Sequence, residues 1–382
     1  MADSILSHAS NHQSDPVSRW AQDLLAHAHQ NRASDIHLEP LQNDLCVRLR
    51  IDGQLMTYPS PVASWRDRII SKFKVLSRMD IAEKRLPQDG RLQWPVNGIS
   101  LGLRVSSIPT MNGEKLVLRL LPTEQTPRSL SALGYTPDQL AQVQRALASP
   151  HGLILVTGPT GSGKSATLMA HLQSLDHRSL NITTIEDPVE QVLQGINQIG
   201  INEKIGLDFP TTLRALLRQD PDVLLVGEVR DLSTAMVAAQ AAQTGHLVLS
   251  TLHTNTAASA ILRLRHMGVP ADHLAACVRL VCAQRLVRLL CTHCKSMRPN
   301  GSWHAVGCEH CHGGFWGRQA VHEIIPMTSS LVDLVLANAD ASALELAARR
   351  QGYKSMFDSA QPLIEQGMTT QAEVELACQS DS

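Results

Sequence analysis

The sequence predicts an α/β fold with a parallel-rich sheet, preceded by a smaller α+β domain. Three observations predict it. Short apolar runs at residues 153–157, 182–185, 223–226 and 247–251 alternate with helical patterns, which is how a buried parallel sheet with crossover helices reads. The first run leads into Gly158-Pro159-Thr160-Gly161-Ser162-Gly163-Lys164-Ser165, followed by a helix-compatible segment from Ala166 onward. Upstream of residue 122, period-two strand patterns are interspersed with two helical stretches, the first of them amphipathic.

Taken in order, residues 1–16 are polar, rich in His, Ser and Asn, and are expected to be disordered. Residues 17–30 carry Trp20, Leu24, Leu25 and Ala28 on one side of a helix. Residues 34–39 and 45–51 alternate apolar and polar side chains as strands, and Asp52-Gly53 marks a tight turn after the second. Residues 66–79 read as a helix, and residues 101–108 and 115–121 as strands. The N-terminal α+β domain is thus expected over residues 17–121 and a proline-containing linker over 122–130. The α/β domain follows over residues 131–382, with a cysteine-bearing segment at 288–315 and small helices from 329 to the end.

Composition sets outer limits. Of 382 residues, 43% are hydrophobic and 18% charged, enough for two or three domains with real cores. A net charge of −1 and 3% aromatics speak against a nucleic-acid groove with base-stacking platforms, so no nucleic-acid partner is expected. No run of 18 apolar residues occurs; the best candidate, residues 274–291, is interrupted by Arg279, Arg285 and Arg288 and is not expected to span a bilayer. No secretory leader pattern is seen, and four of eight cysteines sit at Cys-x-x-Cys spacing. A cytoplasmic protein with only indirect membrane contact is expected.

The residues with chemistry cluster at strand ends. A strand, a glycine-rich turn ending in Lys-Ser and a helix make a phosphate-binding P-loop: glycines let backbone N–H groups turn toward phosphate oxygens, and the helix N-terminus favours the anion. Gly158, Pro159, Thr160, Gly161, Ser162, Gly163, Lys164, Ser165 and Ala166 are the expected nucleotide-binding residues. Lys164 is to reach the β/γ-phosphates, and the Ser165 hydroxyl is to ligate Mg2+. The run 182–185 ends in Glu186-Asp187-Pro188, where Glu186 is the candidate to orient the attacking water; a turn cap is the competing reading. The run 223–226 ends in Gly227-Glu228. Glycine takes the place where many P-loop enzymes carry an aspartate, leaving Glu228 as the leading acid. Thr251, His253 and Asn255 follow another strand, suited to sensing a γ-phosphate. Cys291-Thr-His-Cys294 and Cys308-Glu-His-Cys311, thirteen residues apart, have the spacing of a closed tetrahedral zinc site, structural because no ligand position stays open.

These motifs together resemble the type II secretion and type IV pilus assembly ATPases of bacteria, the traffic ATPase superfamily, over about residues 17–375. Residues 158–165 resemble its Walker A motif, Glu186-Asp187 its aspartate box, residues 218–228 its Walker B motif and residues 245–255 its histidine box. Arg32-Ala-Ser-Asp-Ile-His-Leu-Glu-Pro40, Arg48-Leu-Arg-Ile-Asp-Gly53 and Arg104-Val-Ser-Ser-Ile-Pro109 resemble its N-terminal domain. The resemblance implies a RecA-like ATPase domain, a PAS-like N-terminal domain and the cofactors ATP, Mg2+ and Zn2+. It further implies roles for Arg104 and Arg119 near the γ-phosphate, for Arg214 and Arg218 on the helix before Walker B, and for His253. By resemblance the chain forms a homohexamer at the cytoplasmic face of the inner membrane, driving a platform protein that assembles pilin or pseudopilin fibres.

About 30 residues precede Ser34, so the extra docking domain of many members is expected to be missing, and the gap between cysteine pairs is shorter than in the longer versions. The alternatives are a pilus-retraction motor, which the tetracysteine segment disfavours, a nucleic-acid translocase of the same superfamily, and a scaffold that binds ATP without hydrolysis.

Overall fold

The computed structural model describes residues 15–121 and 129–378. Of residues 1–16, expected to be disordered, 1–14 lie outside the described residues, whereas Asp15 and Pro16 cap and begin the first helix; residues 122–128 of the expected linker also lie outside the described residues. The chain divides into two compact units, Met1–Gln125 and Thr126–Ser382.

The first unit opens with α1 (Pro16–Gln30), capped by the Asp15 side chain and started by proline at its first turn. Strands β1 (Ala33–Pro40), β2 (Leu45–Ile51) and β3 (Gln54–Tyr58) follow, then α2 (Arg66–Leu76), β4 (Gln88–Val96), β5 (Ile99–Thr110) and β6 (Gly113–Leu120). They form one antiparallel sheet of order β3-β2-β1-β6-β5-β4. Asp52 and Gly53 both take positive φ in the β2–β3 turn, as the Asp-Gly pair foretold. Val17, Ala21, Leu24, Leu25 and Ala28 of α1 and Ile69, Ile70 and Phe73 of α2 pack on one sheet face. The opposite face carries the alternate, polar positions. Strand β4 was not foreseen: its Asp-Gly-Arg and Trp-Pro content conceals the period-two pattern.

The second unit begins with α3 (Pro137–Leu147) and continues through β7 (Gly152–Thr157), α4 (Lys164–Gln173), β8 (Ile182–Glu186), β9 (Asn197–Gly200), α5 (Phe209–Leu216), β10 (Val223–Val226), α6 (Leu232–Gln243) and β11 (Leu247–Leu252). Then come α7 (Ala257–His266), α8 (Ala271–Cys277), β12 (Val278–Leu290), β13 (Ser296–Met297), β14 (Trp303–His304) and β15 (Phe315–Pro326). Four helices close the described chain: α9 (Ser329–Leu336), α10 (Ala341–Arg350), α11 (Met356–Glu365) and α12 (Gln371–Cys378). The sheet order is β15-β12-β7-β11-β10-β8-β9, parallel throughout except for β15, which runs antiparallel to β12.

Alternate residues of each central strand enter opposite cores. Leu153, Leu155, Leu224, Val226 and Val248 face one layer, and Ile154, Val156, Val223, Leu225 and Leu249 the other. A strand buried on both faces must be apolar throughout, which is why these runs were legible in the sequence. The stretch 274–291 is the end of α8 followed by the 13-residue strand β12. Among the described residues no helix is long and apolar enough to cross a membrane.

Candidate active site

Parallel strands end on one edge of the sheet, and that edge is where α/β proteins bind ligands. Strands β7, β11, β10 and β8 are consecutive neighbours with aligned C-terminal ends. Loops leaving those ends are therefore brought together.

The loop after β7 folds as a P-loop. Gly158, Gly161 and Gly163 all have positive φ, a region other residues rarely take. A Cβ on Gly158 would lie 2.5 Å from the Gln284 carbonyl oxygen. Gly163 caps α4, so Lys164, Ser165 and Ala166 occupy its first turn, with Ser165 and Ala166 exposed along with Pro159 and Thr160. Lys164 is buried and its Nζ donates to the Gly158 and Pro159 carbonyls at 2.6 and 3.1 Å. Burial pushes the Lys164 ammonium down to about 8, with the Glu228 charge opposing and Arg285 reinforcing the shift.

Glu228 stands two residues past β10. Its carboxylate pairs with Arg230 Nε at 2.9 Å and with His253 Nε2 at 3.2 Å. Desolvation and the Lys164 charge hold the His253 imidazole below its ordinary range, against the pull of Glu228, so at neutral pH the ring donates an N–H to the carboxylate. Lys164, Glu228 and His253 thus form one electrostatic group. Arg230, which sequence reasoning passed over, also approaches Asp187 at 3.6 Å and so joins the two acidic motifs. Its only sequence signal is its place two residues after Glu228.

Gly227 has a steric reason. Its N–H donates to the Ile185 carbonyl, and a Cβ there would stand 3.0 Å from that oxygen. Neighbouring polar groups of β11 hold this turn: Ser250 Oγ donates to the Val226 carbonyl and Thr251 Oγ1 to that of Gly227. Thr251 is therefore buried support, and Asn255 Oδ1 accepts from Arg285 Nη2. Of the three polar residues expected to sense a γ-phosphate, it is His253 that meets Glu228.

Glu186 ends β8 with its backbone beside Gly227, yet its carboxylate accepts from Thr184 Oγ1 at 2.6 Å and Gln198 Nε2 at 2.9 Å. Those bonds hold it toward β9. Arg214 and Arg218 are exposed on and just past α5; Arg214 Nη2 donates to Ser233 Oγ, and Arg218 Nη1 to the Arg214 carbonyl. Arg104 and Arg119 belong to the first unit, where they face each other in register on β5 and β6, with Arg119 paired to Asp35 at 3.0 Å.

Cys291, Cys294, Cys308 and Cys311 converge in the β12–β15 connection, their sulfurs within 4.8 Å of one another. The Sγ separations are 3.9 Å for Cys291–Cys308, 3.6 Å for Cys294–Cys311 and 3.7 Å for Cys308–Cys311. Four thiolates about 2.3 Å from a tetrahedral zinc stand about 3.8 Å apart, so the donor set fits that ion. Backbone N–H groups of Gly307 and Cys308 point at Cys294 and Cys311 sulfurs, supporting thiolate charge. The rings of His293 and His310 lie 4.7 Å apart outside the cluster, tilted by 47°.

A parallel sheet presenting a P-loop, an acid after a neighbouring strand and a histidine after the strand between them defines a P-loop ATPase. Residues 10–376 match the family described as type II/IV secretion system protein, and the chain belongs to it. It is 46% identical over 360 residues to the type II secretion system protein HxcR of Pseudomonas aeruginosa, covering 94% of this chain and 76% of that protein. To the type IV pilus assembly ATPase PilB of the same organism it is 42% identical over 378 residues, covering 94% and 67%. Among solved structures it resembles the pilus retraction motor PilT with bound ADP, with TM-score 0.66, 27% identity and coverage of 94% and 97%. The chain is an ATPase of the secretion and pilus class.

Proposed function

We propose that this chain is a Mg2+-dependent ATP hydrolase that works as a homohexameric ring and powers assembly of pilin or pseudopilin fibres. Residues 158–166 hold the triphosphate, Lys164 neutralises the β/γ-phosphates and Ser165 supplies a metal ligand. Bound ATP brings the reactive phosphoanhydride and Mg2+ offsets its charge. The chain's own residues orient and discharge: Glu228 accepts a proton or hydrogen bond at the attacking water, and His253 and Arg230 hold that carboxylate. The observation that carries this reading is the Lys164–Glu228–His253 group at the C-terminal edge of the sheet. Glu186 supports the site from β8, braced by Thr184 and Gln198.

Arg104, Arg119, Arg214 and Arg218 are proposed to supply positive charge to the transition state. Cys291, Cys294, Cys308 and Cys311 hold a structural zinc. The ring lies in the cytoplasm, peripheral to the inner membrane through a platform protein. The higher identity to secretion and pilus-assembly proteins than to PilT favours assembly over retraction.

The test is ATP turnover of the wild type and Glu228→Gln, with size measured with and without Mg-ATP. Turnover that falls at least 100-fold in the variant, about 2.7 kcal/mol at 25 °C, and rises on ring formation is expected. Tight ATP binding with no turnover in any assembly state sinks the autonomous motor.

A further inference from the structure

Gln284 lies on β12, outside every motif named so far, and is 1% exposed. Its side-chain amide reaches the P-loop in two directions. Nε2 donates to the Ser162 carbonyl at 2.7 Å, and Oε1 accepts from Thr167 Oγ1 at 2.7 Å. The Thr167 hydroxyl and the Ser162 carbonyl together define which end of the amide is oxygen and which is nitrogen. Close backbone contact adds to the bond pair: a Cβ on Gly163 would stand 2.9 Å from Gln284 Nε2, and one on Gly158 2.5 Å from the Gln284 carbonyl oxygen. The loop is therefore seated on Gln284 at both of its ends.

We infer that Gln284 is a positioning residue for nucleotide binding, because its amide ties the Ser162 carbonyl back and so aims the Gly163 N–H into the phosphate cradle. In a trans peptide the C=O of one residue and the N–H of the next point in opposite directions. Drawing the Ser162 oxygen toward β12 turns the Gly163 N–H away from β12. The second bond, to Thr167, anchors the same amide to the first turns of α4, whose N-terminus faces the phosphates. Loop and helix dipole are thus set in one orientation before nucleotide arrives, so binding does not have to order them.

The inference rests on the reading of residues 158–165 as the nucleotide site, and the experiment separates the two. Mg-ADP affinity and steady-state ATP kinetics are measured on the full chain at pH 7, where Lys164 keeps its charge: wild type, Gln284→Met, Gln284→Glu and Lys164→Gln. Methionine matches the length of glutamine without a donor, and an ionised glutamate keeps the acceptor but repels the Ser162 oxygen. Kd and KM are each expected to rise at least fivefold in the glutamine variants, about 1 kcal/mol at 25 °C. A folded Gln284→Met with a smaller rise, or with lower kcat at unchanged KM, overturns the inference. Should that variant not fold, Gln284→Glu decides by the same threshold. Loss of binding in Lys164→Gln with wild-type affinity in Gln284→Met sinks the role of Gln284 alone. Wild-type affinity in Lys164→Gln sinks the nucleotide site itself.

Discussion

Lys164 is a cation held by its own loop. Its ammonium donates to the Gly158 and Pro159 carbonyls, and burial lowers its hold on the proton to about 8. Its charge is therefore present below that pH and lost above it. Affinity of the free protein for Mg-ATP is expected to weaken as pH rises through about 8, approaching tenfold per unit well above it. Calorimetric titration between pH 7 and 9.5 measures this, and a flat Kd across that range would remove Lys164 as the phosphate cation. The identity of Lys164 was plain from the motif, whereas its two carbonyl partners and Glu228 as its charged neighbour were not. Residue 228 is 64 positions away, and the β11 strand between their strands is what makes them neighbours.

At the scale of elements, the tetracysteine cluster closes the open end of the β12–β15 ribbon. Cys291 follows β12 directly and its N–H donates to the Gly314 carbonyl just before β15. The same end of β12 is fastened to the C-terminal helices by a two-pronged Arg288–Glu373 pair and by Thr369 Oγ1 on the Arg288 carbonyl. Lys295 donates to the Gly367 carbonyl. Zinc here would act as a staple between two strands, with no part in the reaction. One zinc per chain is expected in the purified protein by metal analysis. Cys308→Ser or strong chelation is expected to remove it and lower the melting temperature by at least about 5 °C. Metal-free protein with an unchanged melting temperature would disprove the staple. The cluster was legible because its ligands are local in sequence. The ribbon it closes was not, since β12 reads as an interrupted apolar stretch until β15, 25 or more residues later, pairs with it.

The second unit as a whole carries a sensitivity to acid that no motif announces. His171 of α4 and His322 of β15 are both buried, and burial pushes them down to about 4 and about 3. Tyr135 lies between them, its hydroxyl bonded to His171 Nε2 at 2.9 Å and its ring 4.2 Å from that of His322. Above pH 6.5 both histidines are neutral whether the chain is folded or unfolded, and they contribute no pH dependence. Below it the unfolded chain takes up protons that the folded one refuses, so stability falls as pH drops, until the folded values are reached. For two such groups the loss approaches about 2.7 kcal/mol per pH unit between roughly pH 6 and 4. Urea midpoints at pH 7.5, 6 and 5 test it, and His322→Leu should flatten the curve. Equal midpoints at all three pH values would rule out the buried neutral pair.

The sequence by itself determined what depends on near neighbours: the apolar strands, the glycines and Lys-Ser of the P-loop, the acid after β10, the cysteine spacing and the Asp-Gly turn. Each is a pattern within about twenty residues, and local periodicity or bond geometry requires it. The tertiary structure alone decided what depends on strand order. It turned Glu186 toward Gln198, gave Thr251 to the Gly227 carbonyl, joined Arg230 to Glu228 and Asp187, and set Gln284 under a loop more than a hundred residues before it. Hydrophobic alternation says which face a residue occupies. It does not say which strand lies alongside, because that follows from how the whole sheet buries its two apolar faces at once.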